Sequence, residues 1–127
     1  VKQQLSYLIL TSFLLTSGCW ATEAVTNYPF ENEEEQMITV LFSNNHTIQN
    51  ESSFYDALLE FQQLYPDYDL PLTIVYEDER DIIQYFEITE FPTLLVIDGQ
   101  TVELRIEGHH GKDDILNKLN SIVPQQM

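Results

Sequence analysis

The chain has 127 residues, enough for one small domain, with 5 Lys plus Arg against 21 Asp plus Glu and a formal charge of −16. That balance excludes a general nucleic-acid binder, because neutralising phosphates takes clustered basic side chains, and it disfavours a polybasic anchor on anionic lipid. Hydrophobic residues at 43% and aromatics at 12% exclude an acidic disordered chain, and the single cysteine, Cys19, excludes an intrachain disulfide, a CxxC pair and a cysteine-rich metal knuckle.

Lys2 is followed by an uncharged apolar run, Leu5 to Leu15, and then by small residues. A positive start, a short apolar core and small residues describe a secretion signal, here over residues 1–18. The run falls short of the ~20 apolar residues of a spanning helix. Val1 reads as an alternative start or a clipped Met. Leu15-Thr16-Ser17-Gly18-Cys19 resembles the lipobox of bacterial lipoproteins, with Thr16 where Leu is commonest. The resemblance implies cleavage just before Cys19 and acylation of its thiol. Two acyl chains, at ~0.8 kcal/mol per buried CH₂, anchor stably. The competing reading is plain secretion with cleavage after Ala21 or Ala24. Both export the protein. Residues 19–36 read as a lipidated cysteine and an acidic tether carrying Glu23, Glu31, Glu33, Glu34 and Glu35, with no helical or strand period.

The folded domain is expected over residues 37–123, followed by a tail, 124–127. Met37 to Phe42 is a short apolar run that reads as a buried strand. A polar loop, Ser43 to Asn50, leads to a helix capped by Ser52 or Ser53 and running to Tyr65, with Phe54, Leu58, Phe61 and Leu64 on one face. Leu72 to Tyr76 is a second strand and Arg80 to Phe86 a short helix with Ile82, Ile83 and Phe86 inward. Thr93 to Ile97 is a third buried strand, Asp98-Gly99 a hairpin signal, and Thr101 to Ile106 an alternating strand. Gly108 to Gly111 is a loop before a last amphipathic helix, Asp113 to Val123. The order β-α-β-α-β-β-α predicts an α/β fold, with parallel crossovers at each strand–helix–strand unit and a hairpin adding an antiparallel strand. The result is a four-stranded mixed sheet with flanking helices.

This order, together with Phe91-Pro92-Thr93-Leu94-Leu95-Val96-Ile97-Asp98-Gly99 and the Gly at position 108, resembles the thioredoxin family. Asp81 to Ile88 resembles the family's short helix and lead-in to the proline segment, while its extra N-terminal strand and helix are reduced or absent. Matching Phe42 to the family's strand-ending Phe puts His46 at the Trp position of the redox loop, Thr47 and Asn50 at its two Cys positions, and Ile48-Gln49 between. Leu41 stands where the family has a buried acid. Thiol exchange needs a thiolate, and neither Thr nor Asn supplies one. The resemblance therefore implies a member without dithiol chemistry and without a catalytic residue. Thr47 as a hydroxyl nucleophile would need a base beside it, and a neighbour in sequence such as His46 points elsewhere at a helix start. Thr47 reads instead as the residue that opens the helix.

The resemblance also implies a cis peptide before Pro92 and a backbone edge there that pairs with an extended peptide. Its competing reading is a turn and nothing more. The resemblance implies that the loop after Phe42, the Pro92 turn and the Gly108 loop meet at one end of the sheet, so His46, Thr47, Ile48, Phe91, Pro92 and His109 are expected to form the candidate binding loop. His46, His109 and His110 are weak candidates for a zinc or copper site, since real sites converge three or four ligands. Glu77, Asp78, Glu79 and Asp81 read as a solvated acidic face, or as a patch for a basic partner. No cofactor is implied. The reading as a whole is an exported lipoprotein at the bacterial cell surface, held to the membrane through its lipid, with a non-catalytic domain that binds an envelope protein or peptide. The alternatives are a degenerate thiol-disulfide oxidoreductase working with a partner's cysteines, and metal binding through the loop histidines.

Overall fold

A computed structural model describes residues 28–30 and 36–124. The signal over 1–18, the lipobox with Cys19 and most of the acidic stretch lie outside the described residues. The elements are β1 (Met37–Ser43), α1 (Ser52–Leu64), β2 (Leu72–Tyr76), α2 (Arg80–Tyr85), β3 (Thr93–Asp98), β4 (Thr101–Glu107) and α3 (Lys112–Asn120), with one 3₁₀ turn at Ile48–Asn50. The sheet order is β2-β1-β3-β4.

β1 and β2 are parallel, with Leu41 opposite Ile74 and Phe42 opposite Val75. The 13 residues of α1 span about 20 Å, enough to carry the chain back along the sheet. β3, in contrast, runs antiparallel to β1, with Phe42 opposite Thr93. The crossover rule predicted a parallel strand there. The reason is length: the six residues of α2 span only about 9 Å, so β3 starts at the end of the sheet where β2 finished. The hairpin at Asp98 closes through Gly99 at φ 63 and Gln100, and β4 follows antiparallel with a bulge opposite Val96/Ile97.

Alternation along β1 splits the core in two. Leu41 faces α1 and α3 with Phe54, Phe61, Leu94, Ile106, Ile115 and Leu119. Ile38, Val40 and Phe42 face α2 with Val75, Phe86, Ile88, Leu95 and Ile97. Within α1, Phe54, Ala57 and Phe61 are buried and Leu58 half-buried, while Leu64, expected on the same face, is exposed. Neither Ser52 nor Ser53 caps the helix: its N-cap is Glu51, and the Ser53 hydroxyl donates to the His110 carbonyl at 2.7 Å.

The folded unit also reaches further toward the N-terminus than Met37. Tyr28 is buried, Phe30 stacks on Phe86 at 5.9 Å between ring centroids, and the Tyr28 hydroxyl donates to the Gly99 carbonyl at 2.9 Å. Two aromatics in an acidic stretch thus cover the α2 side of the sheet.

Candidate functional site

The C-terminal end of β1 opens the candidate loop. The Asn44 side-chain oxygen accepts from the backbone N–H of His46 at 3.1 Å, and from both the N–H and the hydroxyl of Thr47 at 2.8 Å. This Asx arrangement shapes the loop locally. The Thr47 carbonyl then accepts from Asn50 N–H at 2.8 Å, which starts the 3₁₀ turn. Thr47 therefore opens the turn, its hydroxyl committed to Asn44. His46, Ile48, Gln49 and Asn50 are exposed, Ile48 by 55%.

The Phe91–Pro92 peptide is cis. Phe91 is half-buried against the α2-side core, and Pro92 is buried. The Pro92 carbonyl accepts from Gly108 N–H at 2.8 Å, and the Thr93 hydroxyl donates to the Glu90 carbonyl at 2.7 Å. Gly108 sits at φ 79, a left-handed conformation that favours glycine; a Cβ there would lie 2.9 Å from the end of the exposed Glu90 side chain, which is free to swing aside. His109 is exposed. His110 is engaged through both ring nitrogens, with Asp114 at 2.7 Å and the Glu107 carbonyl at 2.9 Å. The Asp114 carboxyl is held below its ordinary range by hydrogen bonds from Lys118 and His110. Among the described residues no group of three or more His, Cys, Asp or Glu is arranged to hold a metal ion, and no described hydrogen bond or ion pair joins His46 to His109 or His110.

The sequence reading missed a buried polar pair beneath this loop. Glu51 is 1% exposed, and its carboxyl accepts from the Ser43 hydroxyl and from the Tyr55 hydroxyl, the latter at 3.5 Å. Burial first, then the charge of Glu51, the neighbouring Tyr76 and the hydrogen bond to Glu51 push the Tyr55 phenol up from its ordinary value. Ser43 lies two residues beyond Leu41 on the same face of β1. The carboxyl therefore enters the fold from the helix, one strand step beyond the position where the resemblance implied an acid. The signal was present in the spacing: Glu51, Phe54, Leu58 and Phe61 form one helical stripe.

Solved structures share this architecture. The chain matches desulfothioredoxin from Desulfovibrio vulgaris Hildenborough with a TM-score of 0.58 at 18% identity, over 77% of this chain and 94% of that one. It matches a thioredoxin-like protein from Clostridium perfringens with a TM-score of 0.56 at 14% identity, over 81% of this chain and 91% of that one.

The chain has a thioredoxin-like fold.

In sequence, the thioredoxin-like chain is 33% identical over 85 residues to a Pal-related lipoprotein of Bacillus subtilis (strain 168). The match covers 66% of this chain and 66% of that relative, so the chain spans just under two thirds of the relative's length. No family model matches the chain. Among the described residues of this thioredoxin-like domain, no helix is long and apolar enough to cross a membrane.

Proposed function

We propose that this is an exported small lipoprotein, tethered through Cys19, whose thioredoxin-like domain binds a protein or peptide at the bacterial cell envelope without catalysing thiol exchange. The observation that carries the reading is the loop after β1. The resemblance implies that Thr47 and Asn50 stand where the fold family has its cysteines, and the Thr47 hydroxyl is held by Asn44. A fold that keeps its turn while lacking any thiolate there retains a surface and not a redox centre. The likeness to a lipoprotein supports the anchoring. The binding surface in this reading is the exposed loop with His46 and Ile48 beside Phe91, Pro92 and His109. Phe91 is already half-buried, so only its exposed face is left to cover, worth about half of the ~1.5–3 kcal/mol of a full Phe burial and comparable with the ~0.5–1.5 kcal/mol of an exposed neutral hydrogen bond.

The test has three arms. Intact mass of the membrane fraction is expected to show a mature chain beginning at Cys19 with added lipid; a chain beginning after Ala21 or Ala24 overturns the anchor. The chain is expected to leave dithiothreitol-driven disulfide reduction at the rate of the protein-free control; acceleration overturns the non-catalytic reading. Once a partner is captured from envelope extract, Phe91→Ala is expected to weaken it by about three- to tenfold. Reversing the charges of Glu77 and Glu79 is expected to matter less.

A further inference from the structure

Among the described strands, β2 and β4 lie at the two edges of the sheet, and they are not alike. Natural sheets blunt their edges with charges, bulges or cover. β4 does so: it carries Glu103, Arg105 and Glu107 and has a bulge opposite Val96/Ile97. β2 does not. Its sequence, Leu72-Thr73-Ile74-Val75-Tyr76, holds no charge, and among the described strands it pairs only with β1. The Pro71 carbonyl accepts from Thr39 N–H at 2.8 Å, so by parallel alternation Pro71, Thr73 and Val75 bond toward β1. Leu72, Ile74 and Tyr76 then direct their N–H and C=O groups away from the sheet. Tyr76 is satisfied by its own turn, its N–H donating to the Glu79 side chain at 2.9 Å and its carbonyl accepting from Glu79 N–H at 3.0 Å. Among the described residues, nothing bonds to the outward N–H and C=O groups of Leu72 and Ile74.

An apolar groove runs beside this edge. It has a volume of about 230 Å³ and is lined by Tyr55, Leu58 and Leu59 of α1 with Tyr68, Leu70 and Leu72. Leu59 is 59% exposed and Leu72 39%. Leu72 and Ile74 lie opposite Thr39 and Leu41, which puts their side chains on the α1 side of the sheet, where Leu72 lines the groove. A strand added to this edge would set every second side chain against Leu58, Leu59 and Leu72.

The charges at the two ends of β2 select the occupant. Asp67 and Asp69 precede it, Glu77, Asp78 and Glu79 follow it, and all five are exposed, with Arg80 the nearest cation in sequence. A second copy of this chain, paired antiparallel, would set Asp67 and Asp69 of one molecule against Glu77, Asp78 and Glu79 of the other. Like charges so placed oppose pairing. We infer that the β2 edge receives an extended segment of another protein, apolar at alternate positions and flanked at both ends by Lys or Arg. Main-chain hydrogen bonds to Leu72 and Ile74 hold it, the groove reads its side chains and the acids fix its register. The inference rests on the reading of the domain as a binding module and adds a second surface to it, on a different edge from the Phe91–Pro92 turn.

The probe is a synthetic peptide of alternating valine and threonine with a lysine pair at each end, added to the isotope-labelled full chain. With peptide at about ten times its Kd, amide exchange at Leu72 and Ile74 is expected to slow about tenfold. The same peptide N-methylated along one edge is expected to lose this protection, and glutamates in place of lysines are expected to abolish binding. Asp67→Asn combined with Glu77→Gln is expected to weaken the lysine peptide, whereas Asp113→Asn on α3 is expected to leave it unchanged. Peptide binding without protection of Leu72 and Ile74 overturns the inference. So does protection of both amides before peptide is added: loss of that protection on dilution would assign the edge to a second copy, and persistence would assign it to the chain's own N-terminal segment. Binding that shifts Phe91, His46 and His109 instead overturns the edge and leaves the binding-module reading standing. Acceleration of disulfide reduction, measured separately, overturns that reading without bearing on the edge.

Discussion

The Ser43 hydroxyl donates to the Glu51 carboxyl inside the fold, joining the last residue of β1 to the N-cap of α1 across the whole candidate loop. Both residues are buried at 1% exposure, so no solvent replaces the bond if one partner is lost. Ser43→Ala leaves a buried acceptor short of its donor and is expected to cost about 1–3 kcal/mol. Glu51→Gln keeps an acceptor at the same place and is expected to cost less. Pairing Ser43→Ala with Glu51→Leu removes both polar groups, and the two losses are expected to be strongly non-additive. Urea unfolding checks this through the midpoint, with the slope unchanged.

The core strands were legible because each is a short run of apolar and β-branched residues: Met37 to Phe42 and Thr93 to Ile97 carry no charge and no polar alternation to misread. The direction of β3 was not, because it depends on the reach of α2 and not on the strand itself. Tyr28 and Phe30 were absorbed into the acidic stretch, since two aromatics beside many acids carry no period and only their contacts with Phe86 reveal them. Of the site, Thr47 was expected to open the helix, yet it opens only the 3₁₀ turn before it, and Glu51 is the N-cap of α1. Glu51 was not legible, because a charged residue after a polar loop reads as solvated even when it falls on the inward stripe of the next helix. That β2 lies at an edge among the described strands was equally hidden, as sheet order is a property of the whole topology.

A second buried hydroxyl has no such partner. Thr39 is buried in the middle of β1, on the side of Leu41, and its Oγ1 makes no hydrogen bond among the described residues. Valine has nearly the same shape without the polar atom. Thr39→Val is expected to stabilise the domain by about 1 kcal/mol, since leaving a buried hydroxyl unpaired costs about 1–3 kcal/mol and some relaxation offsets it. A rise of roughly 4–8 °C in Tm is the expected readout for a domain of this size.

The end of α2 carries strain that one substitution relieves. Ile88 N–H bonds to the Ile83 carbonyl at 3.0 Å and Glu87 N–H to the Gln84 carbonyl at 3.2 Å, the paired bonds of a Schellman ending. The left-handed position in that motif belongs by preference to glycine, yet Glu87 occupies it at φ 54. The Arg105 guanidinium braces the turn from β4, donating to the Phe86 carbonyl at 2.7 Å and the Glu87 carbonyl at 2.8 Å. The Glu87 side chain is exposed, so Glu87→Gly gives up little there and is expected to gain about 1 kcal/mol. Glu87→Ala keeps the strain and is expected to gain nothing. Comparing the two by thermal unfolding separates the backbone effect from loss of the carboxylate.

Tyr55 reports on the buried pair through its own titration. Burial raises its phenol first, followed by the charge of Glu51, the proximity of Tyr76 and the hydrogen bond to Glu51. All of these disfavour the phenolate. A raised value in the folded state means that the stabilisation is fully present below the unfolded value, about 10, and is lost as pH rises through the folded value. Alkaline unfolding is therefore expected to follow ionisation of Tyr55, and Tyr55→Phe is expected to remove that component from the alkaline limb. Tyr68 is also raised, by burial and then by the charges of Asp98 and Glu103, and serves as an internal reference. Glu51→Gln is expected to bring Tyr55 ionisation earlier while leaving Tyr68 in place. The shift is expected to be partial, because burial is the largest cause and the substitution leaves it intact. Residue-resolved phenol titration by NMR decides it. Equal movement of Tyr55 and Tyr68, or none at Tyr55, would show that the Glu51 carboxyl does not act on Tyr55 in the folded protein.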